Sequence, residues 1–401
     1  MNPARLKSGP ALAGLLAALA VEFADELVDG TKSAAMPLIR HDLSLSYVQV
    51  GLLAAVPLLL GSLIELPVGV LSGTGRRRRR VTLLGGALFV AAVLGIALAH
   101  SFLVLLAALV AFFPASGAFV SLTQSAQLDA SPQRRPQLMA RWTLAGSAGD
   151  LAGPLLIAAV LAVDGSWRLA FALVAGAGAV SWLAVAAAGR VAGGAGEPDG
   201  TEDSWPGLRA ALEITMRSGA FRWLTLLEIS DLLLDVFSAF LALYLVAVVH
   251  VSPAVAALGV AVRLGAGLAG DALLIGMLER FSAPRVLRAS VLATGLLFPA
   301  FLLVPSLWLK LIALAAVSIA TAPWHPVLNA ELFASLPGRS GLAVSLGSAS
   351  GLVGGLGPLA VGLLAQHFGL SWAMASLALV PLVMLAAPAR RRRPGGERGL
   401  D

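Results

Sequence analysis

The sequence predicts an all-α integral membrane protein with twelve transmembrane helices in two pseudo-symmetric six-helix bundles. Three observations support this prediction: the composition, the spacing of apolar segments and a repeat of acidic residues. The 401 residues are 58 % hydrophobic and 12 % charged, with a mean hydropathy of +0.88. A soluble domain carries roughly 25 % charged residues, so this composition indicates a chain that is largely surrounded by lipid.

The apolar segments are each about 20 residues long, which is enough to cross a bilayer. Six precede a polar break and six follow it, at 11–36, 47–71, 81–99, 102–127, 138–162, 167–188, 220–245, 252–277, 285–305, 309–333, 341–365 and 371–389. We therefore expect an N-terminal bundle (1–188), a cytoplasmic linker (189–218), a C-terminal bundle (219–390) and a basic cytoplasmic tail (391–401).

An acidic pattern in the first segment recurs in the seventh. The pattern Glu-x-x-Asp-x-x-x-Asp occurs at Glu22, Asp25 and Asp29 and, 206 positions later, at Glu228, Asp231 and Asp235. On a helix these positions share one face. Glu65 and Asp271 are separated by the same interval, whereas Glu26 is a fourth acid of the first stripe without a counterpart. The repeat indicates two related halves.

These carboxylates are costly where the segments place them. Together with Asp150, ten acids fall within predicted transmembrane segments. Each charge costs about 2.5–3.5 kcal/mol at a helix centre, and a domain's net stability is usually about 5–15 kcal/mol. We therefore expect the acids to face a wet cavity, to pair with cations or to be partly protonated. The simpler alternative is that some only pair with Lys32 or lie in an outer loop.

The basic residues predict the orientation. With the N-terminus inside, 23 of the 28 lysines and arginines fall in cytoplasmic pieces, and three, Arg40, Arg168 and Lys310, fall in outer loops. Cytoplasmic loops of membrane proteins carry such an excess. We expect a multi-pass protein of the inner (plasma) membrane with both termini in the cytoplasm. Arginines 76–80 are expected to set the topology and to contact anionic lipid.

Two short motifs also occur in both halves. The fifth segment carries Gly149-Asp150-Leu151-Ala152-Gly153-Pro154, the eleventh carries Gly354-Gly355-Leu356-Gly357-Pro358, and segments six and twelve open with Ser166-Trp167 and Ser371-Trp372. Six-helix repeats joined by a cytoplasmic linker describe one transporter architecture. With these features the chain resembles the major facilitator superfamily over nearly its whole length.

Three short sequence ranges match or resemble motifs of this family or of particular groups within it. Residues 69–78 match part of the family's loop motif G-x-L-x-D-R-x-G-R-R, with Gly73 and Thr74 at the acidic and first basic positions. The sequence 149–154 is similar to the Gly-Pro motif of the family's antiporters, which implies export. Residues 43–53 are similar to the start of helix 2 in fosmidomycin-resistance-type exporters.

The resemblance also implies where the candidate residues lie. Helices 1 and 7 face each other across a central cavity, so the two acidic stripes would line it from opposite sides. Helices 5 and 8 abut, so Asp150 and Arg263 are expected to form an interdomain ion pair that either breaks as the halves rock or stays buried. Glu65 and Asp271 are expected to act as inner-gate acids or proton sites, or else to pair with nearby arginines.

The tenth helix lines the cavity in this family, which makes Trp324 and His325 candidate substrate contacts. The alternative for His325 is a hydrogen bond between helices. The family's helix 4 arginine motif is missing, which argues against an anionic substrate.

No enzyme signature is found: the sequence contains no P-loop, no G-x-S-x-G and no H-E-x-x-H. We expect neither catalysis nor a cofactor, no nucleic-acid partner, and a monomer. The leading hypothesis is a proton-coupled exporter or antiporter of a small cationic or cation-bearing substrate by alternating access. The alternatives are a divalent metal cation transporter, whose ligands the sequence does not identify beyond carboxylates and His325, and a non-transporting receptor or scaffold.

Overall fold

The computed structural model describes residues 9–72, 75–130, 132–188, 215–336, 350 and 354–386. Within these ranges the chain is helical and contains no strand. The helices of the first half are α1 (Gly9–Asp42), α2 (Tyr47–Ser72), α3 (Gly75–Ala97), α4 (Phe102–Ala130), α5 (Arg135–Ala162) and α6 (Trp167–Ala187). Those of the second half are α7 (Ala220–Ala247), α8 (Pro253–Arg280), α9 (Ala283–Leu303), α10 (Leu307–Ser335), α11 (Gly357–Phe368) and α12 (Leu370–Ala386).

Eight of the described helices, α3 to α10, are long and apolar enough to cross a membrane. The described apolar parts of α2 and α12 are shorter, at Tyr47–Gly61 and Leu370–Ala386. Helix α1 has 34 residues and is more polar, because it carries the acidic stripe and Lys32. The predicted all-α membrane fold is confirmed. Most of the predicted linker and the whole tail lie outside the described residues, as does the first part of the predicted eleventh segment.

Serine caps begin several of these helices, although the repeated Ser-Trp motif is not used in the same way twice. The Ser166 hydroxyl accepts a hydrogen bond from the backbone N–H of Leu169 and caps α6. In the second half the chain turns at Gly369, whose φ of +87° lies in the region that favours glycine, and α12 begins at Leu370. Ser371 therefore lies inside α12, and the expectation that it opens that helix is corrected by one residue.

Aromatic residues form a packed core in each half. In the first half the ring centroids of Phe89 and Phe112 are 5.2 Å apart, and Phe119 packs on the same Phe89 ring. In the second half the centroids of Phe237 and Phe298 are also 5.2 Å apart. All five side chains are buried, so each half has its own interior.

The two halves meet through α2 with α11, α5 with α8, and α1 with the second part of α7. At the start of α2 the backbone N–H of Tyr47 donates to the side chain of Gln366 near the end of α11. A Cβ on Gly362 would lie 2.5 Å from the carbonyl oxygen of Tyr47, so the two backbones touch. We call this side of the molecule, where α1 ends and α2 begins, the Asp42 end. The halves are closed against each other there.

Arg168 ties the first half together at the same end. It pairs with Asp42 at the end of α1 and donates to the carbonyl of Ala99 at 2.8 Å. The indole of Trp167 also donates to Asp42. The hydrogen bond from Arg168 holds the pKa of Asp42 below its usual range. At the opposite end, Arg78 is buried and donates to Asp129 of α4 at 2.9 Å. This acid–base contact joins α3 to α4.

Candidate functional site

A glycine face on α5 brings the acidic stripe of α1 close to its neighbour. Gly146, Gly149 and Gly153 lie three and four residues apart, on one side of α5. A Cβ on Gly149 would lie 2.3 Å from the carbonyl oxygen of Phe23, and one on Gly153 would lie 2.2 Å from the backbone nitrogen of Thr31. Only glycine permits this approach, as is common where helices pack in lipid. Gly149 and Gly153 of the sequence 149–154 therefore belong to the surface against which α1 packs.

The first acids of α1 are enclosed by this packing. Glu22 is 9 % exposed and lies beside Trp142 of α5. The carboxylate of Asp25 lies beside Ser116 of α4, and its Oδ1 atom is buried without a partner. Glu26 is half-buried and lies close enough to Asp25, Asp29 and Asp150 to interact with them electrostatically.

Asp29 is more open than Glu22, the first acid of the stripe. Its side chain is 44 % exposed and pairs with Lys32 one turn along the same helix. The Lys32 Nζ atom lies 5.8 Å from the centroid of the Phe113 ring. It is also close enough to Asp25 and Asp150 to interact with both. One lysine thus faces three acids contributed by two helices.

The acidic stripe of α7 passes through a π-helical turn, Leu232–Val236. Its first acid, Glu228, lies against the chain just before α11: a Cβ on Gly354 would lie 1.8 Å from the Glu228 Oε2 atom. Gly146 plays the matching part in the first half, where a Cβ would lie 2.7 Å from the Glu22 Oε1 atom. Each half therefore uses a glycine to accommodate the first acid of its stripe.

The last acid of that stripe, Asp235, lies in the π turn and is exposed. The preceding carbonyl, that of Leu234, accepts a hydrogen bond from Arg263 of α8. A π turn changes the backbone hydrogen-bond pattern, and such turns are frequent at functional sites. Here the turn provides a carbonyl acceptor for the arginine beside Asp235.

A cavity of about 360 Å³ lies beside this turn, lined by residues of α5, α7, α8 and α10. Its charged and titratable lining residues are Asp150, Arg263, Asp271 and His325. Asp235 is close enough to Arg263, His325 and Asp29 to interact with each electrostatically. Both halves therefore contribute acids to one region. From there the cavity extends toward Asp271 and Pro326, away from the Asp42 end.

Comparison with known proteins identifies the architecture. The profile of the Major Facilitator Superfamily matches residues 18–270, which is more than half of the chain. The chain belongs to the major facilitator superfamily. No curated protein sequence matches it. As a member of this superfamily, the protein is a membrane transporter and not an enzyme.

Solved structures share the fold of this major facilitator transporter. A bacterial homolog of the human lysosomal transporter Spinster, inward-facing and unoccupied, is similar with a TM-score of 0.79 and 18 % identity over 95 % of this chain and 96 % of that one. The nucleoside transporter NupG gives 0.73 and 11 % identity over 93 % and 98 %. The peptide transporter POT in complex with sulfate gives 0.68 and 15 % over 93 % and 94 %. At these identities the likeness shows the fold alone.

Two of the predicted relationships are not seen in this conformation of the transporter. Asp150 and Arg263 line the same cavity and interact electrostatically, but in the described part of the chain they form no ion pair, since Arg263 donates to Leu234 instead. Trp324 is fully buried and donates to Ser290 of α9 at 3.1 Å. Its indole therefore points into the second half, whereas His325 is exposed to the cavity.

Other predicted residues are placed less completely. The Glu65 side chain lies outside the described residues, and Asp271 lies at the cavity's far end. Asp231 forms a 3.4 Å hydrogen bond with Ser230 and interacts electrostatically with Asp235 and Glu228. Within the described ranges no three metal-ligating side chains are grouped closely enough to hold a metal ion.

Sequence reasoning missed the close partners of the site. Ser116 beside Asp25 and the Leu234 carbonyl beside Arg263 are ordinary residues in apolar segments. The only signal in the sequence was that Lys32 and Arg263 are cations inside such segments, where a charge requires a partner.

Proposed function

We propose that this transporter is a proton-coupled exporter of a small cationic or cation-bearing molecule that works by alternating access. The observation that carries the proposal is the convergence of acids from both halves near one cavity, with Asp29 of α1 and Asp235 of α7 close enough to interact. Charged side chains at membrane depth mark substrate, ion or proton pathways.

The balance of charge favours a cation. The two stripes and the cavity lining bring together Glu22, Asp25, Glu26, Asp29, Asp150, Glu228, Asp231, Asp235 and Asp271. The cationic or titratable basic side chains in the same region are Lys32, Arg263 and His325. A surplus of acids attracts a cationic group, and neighbouring carboxylates favour proton binding when no cation is present.

The same balance supports proton coupling. Acids that repel one another hold protons, and a bound cation favours their ionised form, so substrate entry would release protons. Release of the substrate on the other side of the membrane would let the acids take up protons again. The cation and the protons would exclude each other at one site. Because the protein opens to only one side of the membrane at a time, this exclusion would produce antiport.

The side of the membrane from which the cavity opens determines the direction of transport. The predicted topology puts the Asp42 end outside, so the cavity would be approached from the cytoplasm in this conformation. That is the side from which an exporter loads. The antiporter-like sequence 149–154 supports the same direction, and its glycines hold α5 against the acidic stripe.

The test is proton release on substrate addition to purified, lightly buffered protein in detergent, followed with a pH dye. We would use tetraphenylphosphonium, ethidium and Mn²⁺ as probes and then measure export in proteoliposomes with an imposed pH gradient. Glu22→Gln, Asp25→Asn, Glu228→Gln and Asp231→Asn remove charge at nearly constant volume, so they should fold and lose proton release. Glu279→Gln, an exposed acid at the end of α8, is the matched control.

Wild-type proton release in all four variants would show that the stripes are structural and would overturn the proposal. Release on addition of Mn²⁺ but of neither organic cation would replace the organic substrate by a divalent metal. Uptake of the organic cation down an inward pH gradient, with no export, would reverse the proposed direction.

A further inference from the structure

Lys32 is a cation held among the acids of the first stripe. Its ammonium group pairs with Asp29 and interacts electrostatically with Asp25 and Asp150. The lysine side chain is 23 % exposed and that of Asp29 is 44 % exposed. The pair is therefore reachable from water, unlike the enclosed Glu22.

We propose that Lys32 is a tethered counter-cation: it holds the Asp29 carboxylate when no substrate is bound, and the cationic group of a substrate displaces it. This inference rests on the proposed function and adds a specificity-determining residue to it. A cation that binds Asp29 more weakly than Lys32 does would not load, so the lysine sets the affinity threshold of the site.

The chemistry of lysine suits this part. The ammonium is a compact point charge on a flexible four-carbon stem with three donors, and it can change partners without movement of the helix. An arginine held in a bidentate pair would be harder to displace. The exchange also leaves Asp29 paired throughout, which avoids an unpaired carboxylate at membrane depth.

An aromatic ring and two further acids lie near enough to receive the displaced Lys32 ammonium. The Phe113 ring lies 5.8 Å from the Lys32 Nζ atom in this structure, within the range of a cation–π contact. Asp25 and Asp150 are the other nearby acids, and the Oδ1 atom of Asp25 is buried without a partner. An ammonium released from Asp29 would therefore stay beside an aromatic face and an unsatisfied acceptor.

The static alternative is that the pair only holds α1 in shape. The two hypotheses predict opposite effects of removing the lysine charge. As a competitor, Lys32 weakens cation binding, so Lys32→Met should bind tetraphenylphosphonium more tightly, by about 1.5- to 5-fold for an ion pair of this exposure. As a structural staple, the same substitution should lower stability and leave affinity unchanged or weakened. Lys32→Arg keeps the charge and is the matched control.

A second measurement observes Lys32 directly. The sequence contains three lysines, at 7, 32 and 310, so reductive ¹³C-methylation gives few NMR signals, which Lys→Arg variants assign. Lys310 is 3 % exposed and donates to the carbonyls of Phe301 and Leu302 on α9, away from the site. Saturating tetraphenylphosphonium should shift the Lys32 signal toward its position in Asp29→Asn and leave the Lys7 signal unchanged.

Two outcomes support the inference. In the first, Lys32→Met binds tetraphenylphosphonium more tightly than wild type and the probe shifts the NMR signal of Lys32 in wild type. In the second, Lys32→Met binds the probe and wild type shows no measurable binding. Equal or weaker binding by folded Lys32→Met, or an unmoved Lys32 signal at saturation, overturns it while the proposed function stands. No binding of any cation by wild type or variant overturns both.

Discussion

The carboxylates of Asp29 on α1 and Asp235 on α7 lie close enough across the two halves to interact electrostatically. They are repeat partners, 206 positions apart, and each is more open than the first acid of its stripe. Each also has a basic residue beside it, Lys32 for Asp29 and Arg263 for Asp235. The two stripes thus approach each other at their Asp42 ends.

The first prediction is that Asp29 and Asp235 bind one cation together. Asp29→Asn and Asp235→Asn should each weaken tetraphenylphosphonium binding, and the double variant should lose less than the two single losses combined. Residues that share one partner show coupling energies of about 0.5–3 kcal/mol. The dissociation constants of the four proteins, measured by calorimetry or by quenching of tryptophan fluorescence, give the coupling.

The control is Glu279→Gln combined with each of the two variants, which should be additive because Glu279 lies at the end of α8, away from both stripes. Strict additivity for Asp29 and Asp235 would mean that the two acids act at separate sites.

The second prediction concerns the glycine face of α5. In Gly153→Ala the new Cβ would meet backbone atoms, the Thr31 nitrogen at 2.2 Å and the Gly30 carbonyl carbon at 2.4 Å. Backbone cannot move aside as a side chain can, so α1 and α5 must separate. Overpacking of this kind costs about 1–3 kcal/mol or more. The melting temperature in detergent should fall.

Gly276→Ala on α8 is the matched control, because its Cβ would meet nothing within 4 Å. Alanine is a better helix former than glycine, so this variant should match wild type or exceed it. Equal melting temperatures for the two variants would show that α1 does not rest on this face.

The helices and the acidic stripes were predictable because hydropathy and a 206-residue repeat are properties of the sequence itself. The partners within the site were not. Lys32 was visible as a cation in an apolar segment, but its choice of Asp29 over Asp150 depends on how closely α1 approaches α5. The π turn around Asp235 has no sequence signal, since Leu232–Val236 is as apolar as its neighbours. The expected Asp150–Arg263 pair was inferred from adjacent helices, and adjacency does not determine which acceptor an arginine side chain reaches.

The third prediction separates the two neighbours on α10. Trp324 donates to Ser290 inside the second half, so Trp324→Phe should lower stability by about 1 kcal/mol, the usual worth of one hydrogen bond, and leave cation affinity unchanged. His325 faces the cavity, so His325→Gln should keep the stability and change the affinity. Thermal unfolding and binding titration of both variants test this directly. The opposite pattern would place the tryptophan, not the histidine, at the site.

The fourth prediction is topological. Both termini and the linker should be cytoplasmic, because of the 23-to-3 distribution of lysine and arginine. A phosphatase reporter inserted at Gly196 should be inactive and a fluorescent-protein reporter active, with insertions in the loop after Asp42 giving the reverse. If Gly196 were external, the Asp42 end would face the cytoplasm. The cavity would then be loaded from outside, and the proposed direction of transport would be reversed.

The fifth prediction concerns Asp150 and Arg263, which share a cavity without pairing in this conformation. If they pair only when the halves rock to the other state, their coupling should be larger in transport than in the stability of the state described here, where they interact electrostatically without contact. Asp150→Asn and Arg263→Gln should then each impair transport, and the double variant should recover part of it, because neither partner is left as an uncompensated charge. In thermal unfolding of the purified protein the coupling between the two changes should be small, because the hydrogen bond to the Leu234 carbonyl is lost with the arginine whether or not Asp150 is charged. The control is the double variant of Asp271→Asn and Arg263→Gln. Asp271 lies at the far end of the same cavity, so this double variant should show no recovery of transport.

Additive transport losses for Asp150 and Arg263 would show that they are uncoupled throughout the cycle. Strong coupling in thermal unfolding would mean that the pair already exists in the state described here, in which the halves are closed at the Asp42 end.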